Sequence, residues 1–99
     1  MITEKIGIPA MLEQTAEECS ELAHACLKLA RIMRGANPTP TTEKEATDAV
    51  EEEVADVQIC TSELLQNGVI DWDLMRARMN AKIVRARERL FPSDNSYQE

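Results

Sequence analysis

A chain of 99 residues, 43% hydrophobic and 29% charged, suits one small domain with limited capacity to bury a core. Its net charge of -7 at pH 7 argues against a nucleic-acid backbone as the main partner. With one Trp, one Tyr and one Phe, any core must be built from Leu, Ile, Val, Met, Ala and Cys.

The opening "MITEKIGIPA" lacks a long apolar run, so no signal peptide is expected, and no stretch reads as a membrane span. The first helix should begin near Pro9, a residue favoured at the first helical position, and end at Gly35. The connection "GANPTPTT" is turn-rich. Thr42 and Glu45 have the spacing of a capping box and should open a second helix, which runs to about Asn67 before Gly68 stops it. Asp71 is the expected N-cap of a third helix ending before Pro92. The polar tail, residues 93–99, is expected to be disordered. No segment carries a strand signal.

These elements predict an all-α fold with three main helices in a single domain over residues 1–92. The apolar stripes are too broad for three helices of one chain to cover. A homodimer or homotetramer, with a four-helix-bundle-like core completed by dimerisation, is therefore expected. The alternative is a monomeric three-helix bundle with exposed apolar surface. Cys19, Cys26 and Cys60 form no CxxC pair, and their odd number fits a reduced, cytoplasmic setting. All three fall on apolar faces and read as core fillers, whereas His24 projects away from the stripe.

Charge is distributed unevenly. The segment from Glu43 to Asp56 holds seven acids and one Lys, while Arg76, Arg78, Lys82, Arg85, Arg87 and Arg89 crowd the last helix. Neutralisation between packed helices would account for this, and so would an acidic site for metal beside a basic one for phosphate. Helical geometry sharpens the choice. With Glu18 at zero and an advance of about 100° per residue, Met11, Leu22, Ala25 and Leu29 fall within about 40° of it. Glu21 sits at the edge of that stripe and Glu17 flanks it. With Glu53 at zero, Ala46, Val57, Cys60 and Leu64 fall within about 40°, and Asp56 takes the same edge position as Glu21.

Two helices thus each offer one inward carboxylate and a second at the edge, three residues later. Gathering four carboxylates in a partly dry groove is costly, because they repel one another and lose hydration. A divalent cation such as Mg2+, which takes oxygen ligands, removes both penalties. The competing reading is that Arg or Lys of the third helix pairs with Glu18 and Glu53. There, Lys82 lies on the stripe of Met75, Met79, Ala86 and Leu90, where it can meet either carboxylates or phosphate if its head is buried. Trp72 and Met11 could contact a nucleobase, although core packing is the commoner role for both types.

The order "EECSEL", a loop, "EEEVADV" and a basic last helix resembles the MazG-like nucleotide pyrophosphohydrolases of the all-α NTP pyrophosphatase superfamily, whose motif is EExxE followed by ExxD. The resemblance extends from about Gly7 to Pro92. It implies a helical homo-oligomer that hydrolyses a nucleoside triphosphate, NTP or dNTP, to the monophosphate and pyrophosphate with Mg2+, or Mn2+ in its place. On that basis Glu18, Glu21, Glu53 and Asp56 are the expected metal ligands. Glu17 and Glu21 are the candidates for orienting or deprotonating water, and Lys82 and Arg85 for meeting phosphate. Where many relatives carry a Trp and a Gln ahead of EExxE, this chain has Ile6 and Met11. The rival expectations are a non-catalytic acidic helical dimer that docks a partner protein, and a sensor that binds nucleotide without hydrolysis.

Overall fold

The helical period in the sequence is realised as helix at each of the three expected segments, and one further helix precedes them. In the computed structural model, which describes residues 1–36 and 40–92, the order is α1 (Ile2–Ile6), α2 (Ile8–Arg34), α3 (Glu43–Gln66) and α4 (Trp72–Leu90). The fold is all-helical, with no strand among the described residues. No helix among them is long and apolar enough to cross a membrane. Part of the expected turn, residues 37–39, and the tail, residues 93–99, lie outside the described residues. The chain divides into two compact units, Met1–Val69 carrying α1 to α3 and a second from Ile70 carrying α4.

The helix ends follow local chemistry. Pro9 stands in the first turn of α2, where a missing N–H costs nothing. Gly35 ends that helix in the left-handed region (φ 65), and its N–H donates to the Ile32 carbonyl at 3.1 Å. At α3 the Thr42 hydroxyl accepts from the Glu45 N–H, and the Glu45 carboxylate accepts from the Thr42 N–H, both at 3.1 Å. The expected capping box is therefore complete. Asp71 caps α4 by accepting from the Leu74 N–H at 2.8 Å.

In the first unit α2 packs along α3, and α1 packs on α2. Met11, Ala46, Cys60 and Leu64 are buried at the centre of this contact. Leu22, Ala25, Leu29, Val50 and Val57 are half-buried on the same stripes, as the helical period predicts. Two expectations need correcting. Cys19 and Cys26 are exposed rather than core fillers, because they lie further round α2 than the arc that α3 covers; only Cys60 is buried. Ahead of Pro9 the chain forms a further helix, α1, which the period of so short a segment does not reveal.

Five residues cannot hold a helix in water by themselves. Here α1 is anchored from a distance: the N–H and the hydroxyl of Thr3 both donate to Oε1 of Glu63, at 2.8 and 2.7 Å. Thr3 and Glu63 are the buried polar residues of the described chain. Gly7 then turns the chain into α2 with φ 88, a region that an L side chain rarely adopts. Large apolar side chains remain exposed on both units, among them Leu27 and Met33 on α2 and Leu74 and Leu90 on α4.

Candidate metal site

The stripes of α2 and α3 that carry Met11 and Cys60 also carry carboxylates, and packing brings these face to face. One oxygen each from Glu18, Glu53 and Asp56 lies within 4.8 Å of the other two. Glu18 and Glu53 are half-buried and Asp56 is exposed, so the cluster opens to solvent on one side. Gln14, one turn before Glu18, donates from Nε2 to Glu18 Oε1 at 2.8 Å and fixes that carboxylate. The remaining oxygen of Glu18, Oε2, and Oε2 of Glu53 are shielded from solvent with no hydrogen-bond partner. Native structures leave few such atoms, because an unpaired buried acceptor forfeits its hydration.

The electrostatics agree. Burial raises the Glu18 carboxyl above its ordinary value, opposed by the Gln14 hydrogen bond and assisted by Glu21 and Asp56. Burial likewise raises Glu53, assisted by the charges of Glu21, Asp56 and Glu18. The carboxyl of Glu18 stands against that of Asp56, and that of Glu53 against that of Glu21. Such oxygen–oxygen contacts become favourable only with a proton or a cation between them. Among the described ion pairs none involves these acids: one joins the N-terminal amine to Glu4, the other Lys44 to Asp48. An all-oxygen set with two unpaired inward atoms suits a hard divalent cation, and Glu18, Glu53 and Asp56 are the residues to hold it.

Glu21 is exposed at the rim, close enough for its charge to act on Glu18 and Glu53. Glu17 is exposed outside the cluster, in the flanking position that the helical period predicts. Met11 is 1% exposed and belongs to the core, yet it also lines a groove of about 400 Å³ that ends at Glu18 and Asp56. Gln14, Ile2, Ile6, Ile59 and Cys60 complete the lining of this groove. Burial pushes the Cys60 thiol up, away from the thiolate form a nucleophile needs.

In the second unit, Arg78, Lys82 and Arg85 line a concavity of about 340 Å³ on α4 with Leu74, Ala77 and Ala81. Lys82 and Arg85 are both exposed, and Trp72 is 52% exposed at the helix start.

Two contributors do not stand out in the sequence. Gln14 could have been found as the residue four before Glu18, the spacing at which an amide meets a carboxylate on one helix face. Glu63 follows Asp56 by seven residues and so shares its edge of the stripe, a signal that no motif includes. Comparison with protein-family models, with curated proteins and with solved structures gave no match.

Proposed function

We propose that the chain is a Mg2+-dependent nucleoside triphosphate pyrophosphohydrolase of the MazG-like kind, working as a homodimer or homotetramer. The observation that carries this reading is the trio Glu18, Glu53 and Asp56 with oxygens within 4.8 Å of one another, two of the three residues presenting an unpartnered shielded oxygen. These are three of the four residues that the EExxE and ExxD resemblance names as ligands; the fourth, Glu21, is outside the trio.

A cation held there supplies Lewis acidity toward a phosphoryl oxygen and neutralises charge that develops during transfer. Glu18, Glu53 and Asp56 hold and orient it. In the proposed reaction water attacks the α-phosphorus, the bond from that phosphorus to the α–β bridging oxygen breaks, and pyrophosphate leaves with the bridging oxygen. Glu21, at the solvent rim of the cluster, accepts the proton of the attacking water at its carboxylate, whereas Glu17, outside the cluster, is given no contact with that water. Lys82 and Arg85 are assigned the phosphate contacts by the resemblance alone; both side chains are exposed on α4, so the buried head that this role requires of Lys82 is not present in this chain by itself. The exposed Leu27, Met33, Leu74 and Leu90 support oligomerisation, since that apolar surface gains by being covered.

The test is pyrophosphate release from a panel of NTPs and dNTPs with Mg2+, wild type against Glu53→Gln. Expected is release by the wild type and loss of at least about a hundredfold in the variant, the scale of removing a metal-site group. Equal rates in the two proteins, or no release from any nucleotide, would refute the reading.

A further inference from the structure

The groove that ends at Glu18 and Asp56 begins at α1, where Ile2 and Ile6 form its wall. Those residues are placed by a helix too short to persist alone, whose anchor lies outside the groove lining: Thr3 donates twice to the buried Glu63. Neither Thr3 nor Glu63 lines the groove. The groove therefore has an acidic end built on two long helices and an apolar wall on a short helix that packs on α2 and is tied to α3 through Glu63.

We propose that Glu63 is a positioning residue, which holds α1 through Thr3 so that Ile2 and Ile6 form the apolar wall against which the nucleoside part of the substrate rests. The proposal rests on the hydrolase reading for the identity of the ligand. Three features carry it. The volume, about 400 Å³, is within the range of small-molecule sites. Ile2, Ile6, Met11 and Ile59 give it an apolar half, whereas Glu18 and Asp56 belong to the acidic half. The wall is continuous with two of the carboxylates proposed to hold the cation, so one ligand with an apolar end and a cation-bound anionic end spans both. Exposure of Ile2 and Ile6, at 49% and 45%, leaves these side chains free to be covered by such a ligand.

A positioning role predicts a split that a general structural role does not. Releasing α1 removes one wall and leaves the carboxylates untouched, so KM rises while kcat stays. The experiment compares wild type, Thr3→Val, Thr3→Ser and Glu63→Leu, the last of which removes the acceptor oxygen. It measures KM and kcat on the best nucleotide, Mg2+ affinity by calorimetry, and amide hydrogen exchange over residues 2–7.

Thr3→Val and Glu63→Leu are expected to raise KM about tenfold, the scale of losing one apolar contact surface in a pocket. Their kcat should stay within about twofold and Mg2+ affinity should be unchanged, while exchange over residues 2–7 accelerates. Thr3→Ser, which keeps the hydroxyl, should behave as wild type. Faster exchange with unchanged KM overturns the proposal, and so does a parallel fall in kcat and Mg2+ affinity. If wild type releases no pyrophosphate, the hydrolase reading fails by itself. Binding of a nucleoside monophosphate with Mg2+ then decides the positioning role, and equal affinity in wild type and Thr3→Val, including no binding in either, overturns it.

Discussion

Met11 presents two faces, one to the core between α2 and α3 and one to the groove, and truncating it separates packing from ligand contact. At 1% exposure it is the largest fully buried side chain of the described residues. Met11→Ala removes its thioether arm from a contact whose other buried members are Ala46, Cys60 and Leu64, none large enough to fill the space. Buried Met→Ala changes cost about 2–5 kcal/mol. With the groove beside it, part of the cavity is open to water and relaxes, so we expect about 3 kcal/mol. For a domain of this size each kcal/mol moves Tm by about 4–8 °C, so the melting point should fall by about 12–24 °C. Met11→Leu conserves volume and should cost less than about 1.5 kcal/mol. Urea unfolding followed by circular dichroism reads both, with the slope unchanged if only the folded core is altered. A loss below about 1 kcal/mol in Met11→Ala would show that α2 and α3 do not pack through this residue, and Met11 would have no place at the centre of the core.

Glu18→Gln and Glu53→Gln should each raise the melting temperature in EDTA and abolish the rise that Mg2+ gives the wild type. Calorimetric scans with and without Mg2+ check this, and a wild type indifferent to Mg2+ would refute the metal site. Acidity acts with opposite signs on two parts of the fold. Glu63 is held below its ordinary value by the hydroxyl and N–H of Thr3, so its contribution is present above about pH 4.3 and is lost as pH falls through the lower folded value. Glu18 and Glu53 are raised, so without metal their contribution is full below that ordinary carboxylate value and is lost as pH rises through the folded values. Metal-free protein should therefore gain stability on mild acidification, a gain absent from a Glu18→Gln, Glu53→Gln double variant in the same denaturation series. Thr42→Ala removes the reciprocal cap of α3 and should cost about 1 kcal/mol by urea titration, with nucleotide turnover unchanged.

Most of the fold was legible because its signals are local. The Thr42–Glu45 box, the Asp71 cap and the Gly35 stop each act within one helical turn, and all three operate as the sequence predicts. The inward pairing of Glu18 with Glu53 was legible for a different reason: both stand on apolar stripes, and two stripes that pack must meet. What stayed hidden depends on long-range contact. Helix α1 exists through Thr3 and Glu63, sixty residues apart, and five residues are too few to display a period. Cys19 and Cys26 misled because a stripe records which side of a helix is apolar, not how much of it one neighbour covers.

Where the carboxylates sit along their helices carries a consequence of its own. Glu18 follows the first residue of α2 by ten positions, and Glu53 follows that of α3 by the same number, about 15 Å along each axis at about 1.5 Å per residue. The positive end of a helix dipole fades within its first turn, so neither backbone lends any positive potential there. The first unit consequently holds a knot of like charge in mid-span that its own architecture cannot discharge. Its cohesion is tied to the ionic composition of the surrounding solution, and the two long helices should grip each other more firmly when divalent cation is plentiful than when it is scarce.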